Sequence, residues 1–484
     1  MTRNRDMYKA VFLLSAALAG CASAPGYRAP EVSVPAAFRE TRDTIIQVPD
    51  SQAAVAATAS WPDVGDTTLT RLMKELVHAN LDVRAAEARV RGARSARTEA
   101  AFDLGPTVTF GAGYTRQRLS GASFPIGVSG AFPDQSIWDG GFDASWELDL
   151  FGRVRRNVQA QGAFLAATRE DLRDAQVSLT AELARAYFEL RGAQEQLSVA
   201  QQNAENQRST LLVTRQRLDA GRGTAFDTER AQAQLSFTLA SIPALESQVR
   251  QAQYQIGVLV GRPPAAVAAE LDRVAPLPAL PATVSVASPD SVIRRRPDVA
   301  AAERQLAVER ALVGSAKAEY LPRISLGGSA GYTAASFDAL GDRGTFRYAV
   351  GPILSWPALN LGRVKARVDV SRAREAEAQA QYNQTVLLAL QEVESSLVHY
   401  RTARSRVERI QDAASASERA AELARLRFSG GVADFLQVLD AERTQLEAQI
   451  QLAQGRTEAA TAYAALYKAL GGTWPARGGA GAER

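Results

Sequence analysis

The chain has 484 residues, 22% of them charged, with a formal net charge of +4, two histidines and one cysteine. That length accommodates two or three ordinary domains. The near balance of charge gives no polyanion-binding signal, the single cysteine excludes an intrachain disulfide, and His78 and His399 stand too far apart to suggest a metal or acid–base site.

Residues 1–20 read as a signal peptide: Arg3, Arg5 and Lys9 precede an apolar stretch, Ala10–Ala19, that is too short to span a bilayer. Leu18-Ala19-Gly20-Cys21 resembles a bacterial lipobox, in which Cys21 carries S-diacylglycerol and N-acyl groups and becomes the first mature residue. Ala22 in place of Asp favours the outer membrane, where several acyl chains anchor firmly. The alternative is an ordinary signal peptide with an incidental cysteine. Residues 21–60 are rich in Pro, Ala, Val and Thr without helical period, and read as a lipid-anchored N-terminal segment.

A first structural unit is predicted over 61–261. Helical pattern runs from Trp61 to Asp103 with a break at Asn80, and Pro106 ends it. Two strands follow, about 107–116 and 140–150, separated by a Gly/Ser/Pro-rich loop. In the first, Val108, Phe110, Ala112 and Tyr114 share a face; in the second, Phe142, Ala144, Trp146, Leu148 and Leu150 alternate with Asp143, Ser145, Glu147 and Asp149. Period two gives each strand one apolar and one wet face. A proline-free helix over about 153–220 would reach about 100 Å before a glycine turn at Gly221 and Gly223 and a return helix.

Residues 262–290, with six prolines, read as a linker or equatorial region. A second unit over 291–470 repeats the order: strands about 323–333 and 347–359, a long helix about 363–429, a turn at Gly430-Gly431 and a return helix. Arg294-Arg295-Arg296 reads as a solvated helix end, and residues 471–484 as a disordered tail. The two units are a duplication. SWELDLFGR (145–153) answers to SWPALNLGR (355–363), and RQRLDAG (215–221) to RLRFSGG (425–431), both at a separation of 210 residues.

Four strands cannot close a barrel, and no segment offers about 20 consecutive apolar residues for a spanning helix. A barrel shared between chains resolves this: three copies supply twelve strands, and the duplication makes the ring nearly sixfold. The chain resembles the outer membrane factor family of TolC-like efflux channels, in particular its OprM- and NodT-like lipoprotein branch. The residues that carry the resemblance are Leu18–Cys21, Tyr27–Pro30, Ser145–Arg153, Arg294–Val299, Ser355–Arg363 and Arg427–Ala441.

That resemblance implies an α+β membrane protein: a trimeric 12-stranded outer-membrane β-barrel joined to a long periplasmic α-helical barrel. It implies a homotrimeric exit duct of a tripartite pump in a Gram-negative envelope, with a periplasmic adaptor (membrane fusion) protein and an inner-membrane pump of the resistance-nodulation-division type as partners. No enzymatic role, cofactor, metal or nucleic acid is expected, and energy must come from a partner because no nucleotide-binding fingerprint is present. The family's periplasmic gate maps onto Phe428, Leu436, Gln437 and Asp440, with Leu436 as apolar constriction and Asp440 as acidic ring. Gln437, Phe428 and Ala433 depart from TolC-like members, so the gate is expected to rest on Leu436 packing; the plainer reading is a core leucine and a solvated aspartate. Adaptor contacts map onto the tips at Gly221, Gly223, Gly430 and Gly431, and the barrel lumen onto Asp143, Glu147 and Asp149, where ordinary polar filling is the alternative. Trp146 and Trp356 are interfacial-belt or simply lipid-facing residues. Competing functions are a channel for type I protein secretion and, less in keeping with the alternating strands, a non-spanning coiled-coil scaffold lipoprotein.

Overall fold

A computed structural model describes residues 34–42, 46–47, 64–120, 133–281 and 283–472. Cys21, the leader and the tail beyond Gly472 lie outside the described residues. In chain order, strand β1 (Ile46–Gln47) precedes helices α1 (Thr67–Ala79) and α2 (Leu81–Phe102), strands β2 (Thr107–Gln117) and β3 (Gln135–Glu147), and helices α3 (Arg153–Asp219) and α4 (Ala225–Leu259). Short elements α5 (Pro264–Leu271), β4 (Val284–Ser285) and α6 (Pro289–Arg295) follow. The second half is α7 (Pro297–Ala318), β5 (Arg323–Ala334), β6 (Phe346–Ser355), α8 (Leu361–Ser429) and α9 (Phe435–Ala469). The proline-rich segment is thus partly ordered: β4 pairs in parallel with β1, and α5 and α6 each begin at a proline, whose missing N–H costs nothing there. The return helices α4 and α9 are both 35 residues long.

The chain divides into two compact units. One holds residues 89–169 and 301–382, and therefore all four long strands. They form one antiparallel sheet in the order β2-β3-β5-β6. The register aligns Phe110, Phe142, Ala330 and Tyr348 in one row, and Thr109, Asp143, Ser329 and Ala349 in the next. The apolar rows therefore merge into one continuous face, on which Phe110, Phe142, Tyr332, Phe346, Tyr348 and Val350 are all exposed. Phe110 packs at a tilt against Phe142, and Tyr332 edge-on against Phe346, across strands, with ring centroids 5.2 and 5.5 Å apart.

Strand limits differ from expectation at three ends. β3 begins at Gln135 and ends at Glu147, because full-length pairing with β2 overrides the turn-like Asp139-Gly140-Gly141. β6 stops at Ser355, two residues before Pro357, and tolerates Pro352 as an edge strand of the sheet. Ile353, apolar on the polar face, fits because it lies over Gly327: a Cβ there would stand 2.9 Å from Ile353 Cδ1. Trp146 and Trp356 play one repeated role. Each indole donates to a carbonyl of the preceding helix–strand turn, Leu104 O at 2.9 Å and Tyr320 O at 3.0 Å.

The second unit comprises the described residues of 32–88, 170–300 and 383–484. Asp66 caps α1 by accepting from the N–H groups of Thr68 and Leu69. Buried Asn80 makes the predicted break: its side chain accepts from Asp82 and Val83 and donates to Leu259 O. Two cores mirror one another, one around Leu72, Leu183, Tyr187 and Ile256, the other around Val292, Leu397, Tyr400 and Leu466. Each carries a tyrosine–arginine pair four residues apart on a long helix. Arg191 donates to Tyr187 Oη and to Arg273 O; Arg404 donates to Tyr400 Oη and to Pro281 O. The two pairs hold the proline-rich segment on either side of Pro276 and Pro278. Burial and the hydrogen bond to Asp66 push the Tyr187 phenol up to about 12.

Of the arginine run, Arg294 is solvated as the sequence suggests, but Arg295 and Arg296 are not. Arg296 is 7% exposed and holds Asp298, Glu392 and Ala469 O. Arg295 donates to Leu470 O. Both satisfy carbonyls at the C-terminus of α9, where cations also suit the helix dipole.

Candidate functional site

Two helix-turn tips close the α3–α4 and α8–α9 pairs, and they are built alike. Gly221 (φ 70°) and Gly431 (φ 80°) take the left-handed conformation that lets the chain reverse. Around them Arg222 N–H bonds Arg217 O and Val432 N–H bonds Arg427 O, the outer bond of a Schellman turn. Thr224 then caps α4 and Asp434 caps α9. Gly223 and Gly430 complete the two turns.

Residues from all four helices pack at these tips. Leu211, Leu235, Phe428, Phe435 and Val438 form a buried cluster. Arg217 joins α3 to the end of α8: its guanidinium lies 4.1 Å from the Phe428 ring centroid and donates to Phe428 O at 2.5 Å. Deeper in, buried Glu442 of α9 accepts from Thr210 of α3 at 2.8 Å and from Arg425 of α8 at 3.3 Å. Neither junction has a local sequence signature, since the partners lie far apart in the chain.

The predicted gate residues fall in two places. Phe428 is 7% exposed and belongs to the interhelix core. Leu436, Gln437 and Asp440 are exposed, on the side of α9 away from buried Phe435 and Val438. Leu436 and Asp440, one helical turn apart, share a stripe. Among the described residues, the Asp440 carboxylate has only a loose ion pair with Arg443, at 3.6 Å. In the first half the equivalent Phe226 and Arg230 stack on each other, 5.2 Å from cation to ring centroid.

The predicted lumen residues also separate. Asp143 is exposed on the polar sheet face. Glu147, on the same face, receives Arg153 Nε and Nη2 at 2.9 and 2.7 Å. Asp149 lies past the end of β3 and accepts from the backbone N–H groups of Val154 and Arg155 in the first turn of α3. It is a helix-capping residue; the continuing Leu148/Leu150 alternation disguised the end of the strand. Among the described residues, no group of three or more His, Cys, Asp or Glu could hold a metal ion, and no helix is long and apolar enough to cross a membrane.

A sheet with one lipid-compatible face, one polar face and unpaired edges at β2 and β6 is part of a barrel wall. Coupled to paired long helices, it defines an outer-membrane channel of the kind assembled from several chains. The sequence model of the outer membrane efflux protein family matches residues 72–262 and 288–472, and the chain belongs to that family. It is similar to outer membrane protein OprJ of Pseudomonas aeruginosa (30% identical over 474 residues, 96% of this chain and 95% of OprJ). Nodulation protein T of Rhizobium leguminosarum bv. trifolii is 29% identical over 462 residues, 94% of this chain and 95% of its own. The solved outer-membrane channel OprN is 37% identical with a TM-score of 0.86, over 93% of this chain and 99% of that one.

Proposed function

We propose that three copies of this chain form the outer-membrane exit duct of a tripartite efflux pump, passing small molecules delivered by an inner-membrane transporter through a periplasmic adaptor. The observation that carries this reading is the sheet: four antiparallel strands, aromatic on one face and small or polar on the other, with two edges to be paired. Three such sheets supply twelve strands, within the range that encloses an aqueous path. Efflux as the task follows from the family. The protein's part is passive conduction, and the energy belongs to the transporter, of the resistance-nodulation-division type in this reading.

The finer assignments are part of the same proposal. Leu436 and Asp440 form the periplasmic gate: three leucines narrow and dewet the path, and three carboxylates favour cations. Their shared exposed stripe on α9 supports this role. Phe428 and Gln437 act behind it, Phe428 through the tip core. The turns at Gly221, Gly223, Gly430 and Gly431 receive the adaptor, a role supported by their nearly identical construction. Cys21 carries the lipid anchor, supported by the lipobox sequence. Purified protein in planar bilayers tests the whole: a trimer with ion conductance is expected, and a non-conducting monomer in mild detergent would overturn it.

A further inference from the structure

The polar face of the sheet carries its charge unevenly. Asp139, Gly141, Asp143, Ser145 and Glu147 of β3 share that face by strand alternation. Asp139 is compensated: Arg347 of β6 donates to both carboxylate oxygens, Nη2 at 2.7 and 2.8 Å and Nε at 3.0 Å, and the Thr333 hydroxyl adds a bond at 2.7 Å. Glu147 is compensated by Arg153 at the other end of the strand. Asp143 lies between them and has neither an ion pair nor a side-chain hydrogen bond among the described residues.

Its surroundings explain why. The row of Asp143 contains Thr109, Ser329 and Ala349. The polar-face row beside it runs Gly111, Gly141, Gly331 and Arg347, and the row on the other side holds Thr107, Ser145, Gly327 and Gly351. Arg347 is the one long cation at this level, and it is drawn to Asp139. Asp143 thus projects from a belt of small residues, with no basic side chain among the described residues positioned to cover it.

We infer that Asp143 sets the charge selectivity of the barrel. This assignment rests on the duct reading above. In a trimer, three uncompensated carboxylates form a ring in a low-dielectric wall, which concentrates cations and repels anions. Asp139 and Arg347 form a second ring of zero net charge. The barrel therefore favours cationic and neutral solutes over anions through one residue per chain, and Arg347 is the latent charge that Asp139 conceals.

Reversal potentials in a KCl gradient across planar bilayers test this, using full-length trimers that carry Asp440→Asn so that the tip carboxylates do not contribute. Asp143→Asn should lower the K⁺/Cl⁻ permeability ratio about threefold, towards one. Asp139→Asn, which frees one Arg347 cation against one Asp143 carboxylate, should lower it to a similar value; the Asp139→Asn/Asp143→Asn double variant should take it below one, and Arg347→Gln should raise it above the parent value. A conducting Asp143→Asn trimer with an unchanged ratio overturns the assignment and leaves the duct reading intact. A conducting Asp139→Asn/Asp143→Asn double variant whose ratio stays above one also overturns it, because Arg347 would then not be the cation that Asp139 neutralises. Absence of conductance in every protein, the parent included, overturns the duct reading and this inference with it.

Discussion

The guanidinium of Arg217 covers the ring of Phe428 at 4.1 Å and donates to the Phe428 carbonyl, joining the end of α3 to the end of α8. The ring thus belongs to the second helix pair and the cation to the first. Arg217→Ala removes a partly desolvated cation–π contact and a charge-assisted hydrogen bond, together about 2 kcal/mol. The tip loosens, and single-channel recordings should show higher basal conductance with the open-state current unchanged.

Leu436→Ser and Asp440→Ala address the gate itself. Both should raise basal conductance, the first by wetting the constriction and the second by removing the acidic ring. Only Asp440→Ala should also reduce cation preference. Unchanged conductance for both variants would move the gate elsewhere.

Arg296 anchors the second half. Its side chain is 8% exposed and binds Asp298 at 2.9 Å and Glu392 at 2.6 Å. Arg296→Met leaves two carboxylates and a helix-terminal carbonyl without their donor. Loss of a buried partner costs about 3 kcal/mol, the low end of the usual range because Glu392 stays a third exposed. Thermal unfolding of the detergent-solubilised protein should show a lower midpoint, with Arg294→Met, at an exposed position, as the unaffected control.

Asp174 gives a pH-dependent prediction. Burial and then the neighbouring Asp298 raise its carboxyl above the ordinary carboxylate range, against the smaller pull of Lys468 and Arg296. A raised carboxyl binds protons more readily in the folded state than in the unfolded one. Its penalty is therefore fully present above the folded value and disappears as pH falls below the unfolded value, near 3.9. Asp174→Asn should raise the unfolding midpoint at pH 7, and the gain should shrink towards zero in acid.

Much of the fold was readable because it is written in short-range patterns. The alternation through Phe142, Ala144 and Trp146 marks a strand, the matched nonapeptides ending at Arg153 and Arg363 mark the duplication, and the glycines at 221 and 431 mark the helix turns. Long-range pairs had no such signature. Arg217 meets Phe428 from 211 residues away. The Tyr187/Arg191 and Tyr400/Arg404 pairs lie 213 residues apart, out of step with the 210-residue repeat, which hid their equivalence. At the candidate site, Asp143, Glu147 and Asp149 look interchangeable in sequence. Their partners separate them: none for Asp143 among the described residues, Arg153 for Glu147, and the start of α3 for Asp149.

Gly141 and Gly331 face each other where β3 meets β5, and a methyl group on either would stand 2.5 to 2.8 Å from opposing backbone atoms. This is the join between the two duplicated halves. Because the chain itself holds it together, its effective concentration never falls on dilution, and it can be shaped for closeness alone. The join between β6 of one copy and β2 of the next must instead form by encounter, and only there can subunits be recognised or refused. Fusing two repeats has therefore halved the number of seams that control assembly from six to three, and left one kind of seam free to diverge from the other.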